Sequence, residues 1–230
     1  MFNQYAVIFD MDGVLADTGP VHFESWVKMT SEIGVEFTKE FFEQIFGQQS
    51  PEIIKKLMGP NVNEITIEKL ANLKEKYYRD MVKDQLKPLP GVIELIKELY
   101  NLKFKLAVGS SGPSENVELL LTSLKIKKYF NAVITAAEIK RGKPEPDVFL
   151  EAAKRVKVKQ SQCVVIEDAP VGIESAKRAG MKCIALTTTH PEKELFNADL
   201  IVKDLSEITS KDVKKLLNIE WSELIRFFYV

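Results

Sequence analysis

Two aspartates two positions apart, in the run Asp10-Met11-Asp12-Gly13, close a short apolar stretch and are the first groups of this 230-residue chain able to do chemistry. Polar residues recur after similar stretches at Gly109-Ser110-Ser111-Gly112, Arg141-Gly142-Lys143-Pro144 and Glu167-Asp168. If those stretches are strands of one parallel sheet, the four segments meet at one edge, since open α/β sheets bind ligands beyond the carboxyl ends of their strands. Four carboxylates that close together cannot all ionise without a cation. An all-oxygen set without Cys or His nearby suits a hard ion that keeps waters and shares phosphate oxygens, so magnesium is the expected cofactor.

Phosphate is the expected partner of that ion. Ser110 and the backbone N–H groups of the 109–112 turn, at the start of a helix, form an anion site, and Lys143 adds a positive charge. A carboxylate needs no activating base at neutral pH, because an unperturbed Asp ionises near ~3.9. One aspartate of the pair can attack phosphorus while the other gives a proton to the leaving oxygen and later takes one from the incoming water or hydroxyl. Strand alternation puts Asp10 and Asp12 on the same side, where they can share one substrate.

The elements that must position these groups are legible from hydrophobic pattern. Apolar, β-rich runs at 5–10, 104–110, 131–135, 163–168 and 182–186, with a weaker one at 199–202, alternate with helical patterns at about 92–100, 114–124, 147–156, 171–179 and 211–217. Pro170 opens one of these helices and Gly180 closes it. This is the signature of an α/β fold, a Rossmann-like parallel sheet with helices on both faces. Between the first two strands the pattern is helical only. Phe23, Trp26, Val27, Thr30 and Ile33 form one stripe, and Ile67, Leu70, Leu73, Tyr77 and Met81 form another. That is too much helix for one crossover, and it predicts an inserted all-helical cap domain. The expected division is an α/β catalytic core of residues 1–17 and 88–218, a cap of residues 18–87, and an apolar tail of residues 219–230. The chain re-enters the core through Lys87-Pro88-Leu89-Pro90-Gly91. In the tail, Trp221, Leu224, Ile225, Phe227 and Phe228 require a surface to cover them.

The segments FDMDGVLADT, AVGSSG, GKPEPDVF and VVIEDAPVGI resemble the four ordered motifs of the haloacid dehalogenase superfamily, and the inserted helices resemble the mobile cap of its phosphatase and β-phosphoglucomutase branch. The resemblance implies that Asp10 is the nucleophile and Asp12 the acid/base. It implies that Ser110, the Ser111 backbone and Lys143 hold the phosphate, and that magnesium is bound by Asp10, the Asp12 carbonyl, Asp168 and, as in the mutases, Glu167. Dehalogenases of the family lack the second acid and need no metal, so Asp12 argues for phosphate chemistry.

Within the predicted cap, Lys74 falls on the apolar stripe of its helix, where its stem can snorkel or its ammonium can meet a substrate. His22 follows the strand-end acids at a spacing similar to that of a histidine in sugar-phosphate members of the family. The mutases carry Lys and Arg around a glycine to hold a second phosphate. Here that stretch reads Ile45-Phe46-Gly47-Gln48-Gln49-Ser50, so Gly47 and Gln48 are the candidate substrate contacts and neither cation is present. The expected activity is therefore hydrolysis of a small phosphorylated metabolite, with a phosphosugar mutase as the alternative and a non-catalytic binding protein of the same fold as a third reading. His190 has no evident role in the sequence.

Bulk properties agree with a small-molecule partner. A hydrophobic content of 45% in 230 residues supports a large buried core. A net charge of −1, with Lys and Glu mixed throughout, offers no basic face for nucleic acid and no polybasic patch for a membrane. Cys163 and Cys183 sit in apolar runs and are expected to be reduced core thiols. With no secretory leader pattern at residues 1–4 and no run of membrane-spanning length, a cytoplasmic monomer is expected.

Overall fold

A computed structural model describes residues 4–83 and 85–219 of the chain. Its centre is a six-stranded, all-parallel sheet of strands β1 (Ala6–Phe9), β2 (Lys105–Gly109), β3 (Ala132–Ile134), β4 (Cys163–Glu167), β5 (Lys182–Leu186) and β6 (Leu200–Val202), in the order β3-β2-β1-β4-β5-β6. The strands pair in parallel throughout, with Phe9 of β1 beside both Val108 of β2 and Ile166 of β4. Every residue of β1 and β4 is buried, as a sheet covered on both faces requires.

Side-chain alternation divides these strands between two apolar layers. Val7, Phe9, Leu106, Val108, Val164 and Ile166 point to one layer, where they meet helices α5 (Val92–Asn101), α6 (Ser114–Ser123) and α9 (Ser210–Leu216). Ala6, Ile8, Ala107, Cys163, Val165 and Cys183 point to the other, under α7 (Asp147–Val156) and α8 (Pro170–Arg178). Both cysteines are free and buried. The strand order reverses between β1 and β4, so the crevice outside their carboxyl ends is the place where a doubly wound sheet takes a ligand.

Four helices separate β1 from α5: α1 (Gly19–Ser31), α2 (Lys39–Ile45), α3 (Ser50–Met58) and α4 (Glu64–Val82). They enclose an apolar cluster of their own around Trp26, Met29, Phe37, Ile54 and Ile67, and they form the inserted all-helical cap. The buried faces of two cap helices are rotated from the apolar stripes. On α1 the buried residues are Gly19, Val21, Ser25, Trp26, Met29 and Thr30, while Val27 is exposed, as is Ile33 just past the helix end. Ser25 can face inward because its hydroxyl donates to the His22 carbonyl at 2.7 Å. On α4 the buried face holds Lys74, Glu75 and Tyr78 together with Ile67 and Leu70, whereas Leu73, Tyr77 and Met81 are only half buried. Among the described residues no helix is long and apolar enough to cross a membrane. Residues 220–230 of the apolar tail lie outside the described residues.

Candidate active site

Asp10 follows the last residue of β1, and Glu167 and Asp168 stand at the end of β4, so the two strands flanking the switch point deliver three carboxyls to one spot. All three residues are buried, and each offers an oxygen within 4.8 Å of the others'. Lys143, in the loop before α7, places its ammonium 2.5 Å from both Asp10 Oδ1 and Glu167 Oε1. The other oxygen of Glu167 accepts from the backbone N–H groups of Asp168 at 2.8 Å and Ala169 at 3.0 Å. Thr189, in the loop after β5, donates to Asp168 Oδ2.

Charge counting tests whether this cluster suits a metal. With all three acids ionised, Lys143 balances one and leaves two negative charges, the charge of one divalent cation. The donors are hard carboxylate oxygens, as magnesium requires. Without that cation Asp10 and Asp168 are pushed toward their neutral forms. Burial, against the pull of Lys143, raises the Asp10 pKa to about 7, with the Glu167 and Asp12 charges adding to the rise. Burial, with the charges of Glu167 and Asp10, lifts Asp168 well above the usual carboxylate range. Lys143 is held in its charged form. Burial alone would lower its pKa, but the two carboxylates more than offset that.

A pH-dependent response to magnesium follows. Because the folded-state value of Asp10 lies above the ordinary 3.8, its contribution to stability is complete below that ordinary value and is lost as pH rises through about 7. A divalent ion reverses the loss by binding the ionised form. Saturating magnesium is therefore expected to raise the melting temperature by roughly 5 °C or more at pH 8 and by much less at pH 5.5. Calorimetry in both buffers checks this, and an equal shift at the two pH values would contradict the assignment.

Two glycines make room for the carboxylates. Gly13 has φ +73, and a Cβ there would lie 2.0 Å from Asp168 Oδ2. On α8 a Cβ at Gly172 would lie 1.7 Å from Glu167 Oε1, an oxygen already held by Lys143. Alanine normally improves a helix interior by ~1 kcal/mol over glycine. Gly172→Ala is nevertheless expected to displace Glu167, weaken magnesium binding and lower turnover by on the order of a hundredfold. Titration calorimetry with magnesium and steady-state rates would register the loss.

Asp12 is not one of the three clustered acids. Its Oδ1 accepts from Thr18 Oγ1 at 2.5 Å and meets His22 Nε2 at 3.2 Å. Lys74 Nζ lies 2.8 Å from the other ring nitrogen of His22. An ammonium can only donate, so Nδ1 accepts and Nε2 carries the proton that faces Asp12. Burial would raise the Asp12 pKa, but His22, Thr18 and Lys74 together outweigh it and hold the carboxyl below its ordinary range. The His22 ring also stacks on Tyr78, with centroids 3.9 Å apart.

In the turn after β2, Ser110 Oγ accepts from the Gly112 N–H at 3.0 Å, which leaves its own proton free to meet a ligand. Ser111 Oγ is buried and, among the described residues, has no hydrogen-bond partner, as a hydroxyl awaiting an oxyanion would be. A cavity of about 190 Å³ lies between sheet edge and cap, and Asp10, Asp12, His22, Gly47, Gln48, Lys74 and Ser111 all line it. Lys143, Glu167, Asp168 and Ser110 are buried and lie outside its lining, the first of them in contact with Asp10. The 47–49 stretch runs close to the core: a Cβ at Gly47 would lie 3.3 Å from Val171 and 3.4 Å from Ala169, and one at Gly142 would lie 3.1 Å from Gln49.

The sequence left several participants unmarked. Thr18 and Thr189 bind the carboxylates, and His190 bridges to the cap, with Nδ1 3.2 Å from the Asp168 carbonyl and Nε2 3.3 Å from that of Glu43. The position of Thr189 and His190 just past the carboxyl end of β5 was the available signal. Glu75 and Asn116, joined at 2.6 Å across the gap between cap and core, carried none.

Residues 7–186 match the family model described as haloacid dehalogenase-like hydrolase. The chain is 35% identical over 185 residues to a fructose-1-phosphate phosphatase of Escherichia coli, covering 80% of this chain and 97% of that protein. It is 33% identical over 226 residues to a β-phosphoglucomutase of Bacillus subtilis, covering 95% of this chain and 96% of that one. Among solved structures, a β-phosphoglucomutase of Clostridium difficile superposes with a TM-score of 0.84 at 26% identity, over 93% of this chain and 97% of that chain.

Proposed function

This chain belongs to the haloacid dehalogenase-like hydrolases, and from that premise we propose that it is a magnesium-dependent phosphatase of small phosphorylated metabolites, sugar phosphates among them. The observation that carries the reading is the Asp10 carboxylate, beside the Lys143 ammonium and next to two further buried acids, at the floor of a cavity that Asp12 also lines. Asp10 attacks phosphorus, the ester P–O bond breaks, and Asp12 protonates the leaving oxygen, leaving an aspartyl-phosphate on Asp10. Water then attacks phosphorus as Asp12 takes its proton, and inorganic phosphate departs. The contacts of Asp12 with Thr18 and His22 favour the ionised form needed in that second half. Lys143, Ser110 and the Ser111 backbone hold the phosphoryl oxygens, and Glu167 keeps Lys143 in place. When bound by Asp10, Glu167, Asp168 and the Asp12 carbonyl, magnesium would supply positive charge against the phosphoryl group. The cap, residues 18–87, covers the cavity and excludes bulk water.

A phosphosugar mutase is the second reading, supported by the Bacillus relative and by His22, which lies between Asp12 and Lys74. A mutase must hold a sugar phosphate by both ends, and charge-assisted contacts are the stronger ones for that task. Gln48, Gln49 and Ser50 offer hydrogen bonds without charge, and Lys74 is the one Lys or Arg among the described residues that line the cavity. Hydrolysis is therefore preferred. With magnesium and a panel of sugar and polyol phosphates, inorganic phosphate is the expected main product, followed together with positional isomers, with and without a sugar bisphosphate primer. Efficient conversion of β-glucose 1-phosphate to glucose 6-phosphate with little phosphate released would reverse the ranking.

A further inference from the structure

The cap wall of the cavity contains a carboxylate that the mechanism does not use. Glu75, next to Lys74 on α4, is 8% exposed and lines the cavity. Its Oε1 accepts from Lys74 Nζ at 3.0 Å and from Ser50 Oγ at 2.5 Å. Oε2 accepts from Asn116 Nδ2 at 2.6 Å, and Oδ1 of the same Asn116 side chain accepts from Arg79 at 2.9 Å. Burial would raise the Glu75 pKa, yet Lys74, His22 and Ser50 outweigh it and keep the group ionised. A buried charge on a substrate-facing wall is costly unless it is paired, and here every donor it uses comes from the protein.

The consequence is electrostatic. Among the described residues Lys74 is the one lysine or arginine lining the cavity, and Glu75 is paired with it, so its charge is not free for whatever hangs from the phosphoryl group. A hydroxylated, uncharged leaving group meets Gln48, Gln49, Ser50 and Asn72, which can donate or accept. A leaving group bearing a second anion gives up water in this site and gains no free cation in return.

We propose that Glu75 is a specificity-determining residue, which restricts the substrates to monophosphate esters of uncharged polyols and sugars by neutralising Lys74, so that leaving groups carrying a carboxylate or a second phosphate find no free positive charge there. The inference rests on the phosphatase reading and deepens it.

Glucitol phosphate and phosphogluconate share a six-carbon skeleton and differ by one carboxylate, so they isolate the charge. Their inhibition constants are measured against hydrolysis of p-nitrophenyl phosphate in the magnesium-loaded protein. The wild type is expected to favour glucitol phosphate by on the order of tenfold or more. Glu75→Gln is expected to erase about tenfold of that preference, by tightening phosphogluconate, whereas Glu75→Asp, which keeps the charge, holds the ratio near the wild-type value. Lys74→Gln leaves Glu75 uncompensated and is expected to widen the ratio, which decides the matter even if Glu75→Gln does not fold. A ratio unmoved in Glu75→Gln or narrowed in Lys74→Gln, with aryl phosphate still hydrolysed by the wild type, overturns the role of Glu75 alone. Absence of any phosphate release by the wild type overturns the phosphatase reading and this inference with it.

Discussion

Asp10→Asn is expected to abolish turnover, by on the order of 10⁴-fold or more, while the protein stays folded and still binds its phosphorylated ligand. An amide is isosteric with the carboxylate and can still accept from the Lys143 ammonium, so the packing at the end of β1 has no reason to change. What it lacks is the anionic oxygen that attacks phosphorus. The stability of the variant carries a second signature. Burial holds the native Asp10 pKa at about 7, which makes its ionisation unfavourable in the metal-free fold. The uncharged amide removes that penalty, so near pH 8 the metal-free variant should melt no lower than the metal-free wild type, and its response to magnesium should be weaker. Rates on a deamidation-free preparation, verified by mass spectrometry, and melting curves with and without magnesium check both halves. Near-normal turnover in such a preparation would remove Asp10 from the role of nucleophile.

Lys143→Met should lower turnover by on the order of a thousandfold and destabilise the metal-free protein most at neutral and higher pH. The methionine fills the space beside Phe149, whose ring lies 5.1 Å from the ammonium, but it leaves Asp10, Glu167 and Asp168 without a counter-charge. Removing one partner of a buried ion pair typically costs ~3–5 kcal/mol, because the other charge stays buried and unpaired. The acids can escape part of that cost by taking up protons, so the loss should shrink as pH falls toward 5. Magnesium should recover much of the stability and little of the rate, since the ion can balance the carboxylates but cannot replace the donor to the phosphoryl oxygens. Urea titrations at pH 5 and 8, with and without magnesium, separate the two effects. Turnover within tenfold of wild type would show that Lys143 serves only to balance the acids.

The core of the fold and the site was legible because strand ends are local features. A buried parallel strand must be apolar along its length, and the polar residue that follows it must stand at the sheet edge. Asp10, Ser110, Glu167 and Asp168 could therefore be expected to converge before any contact was known. Once the sheet order places β1 between β2 and β4, they have nowhere else to meet. Lys143 was harder to place, since it sits in a loop shortly before α7, and only its burial between Asp10 and Glu167 distinguishes it from a solvated lysine.

The cap was legible as helix and illegible as a surface. Hydrophobic periodicity assumes that apolar side chains face inward and charged ones outward, and on α4 that assumption fails at Lys74 and Glu75. Both are buried because each finds partners far along the chain: His22 for Lys74, and Ser50 and Asn116 for Glu75. Desolvating a charge is tolerated only when such partners are already in place, and no window of neighbouring residues records a partner 41 or 52 positions away. Local sequence thus determined the strands, the strand-end acids and the helical nature of the insert. Tertiary structure alone decided that Asp12 faces His22 and Thr18, that Glu167 fits only because Gly172 has no side chain, and that the Lys74 charge on the cap wall is paired with the residue beside it. Those outcomes depend on distances between groups remote in the chain, and the energy of a buried charge is set by such distances.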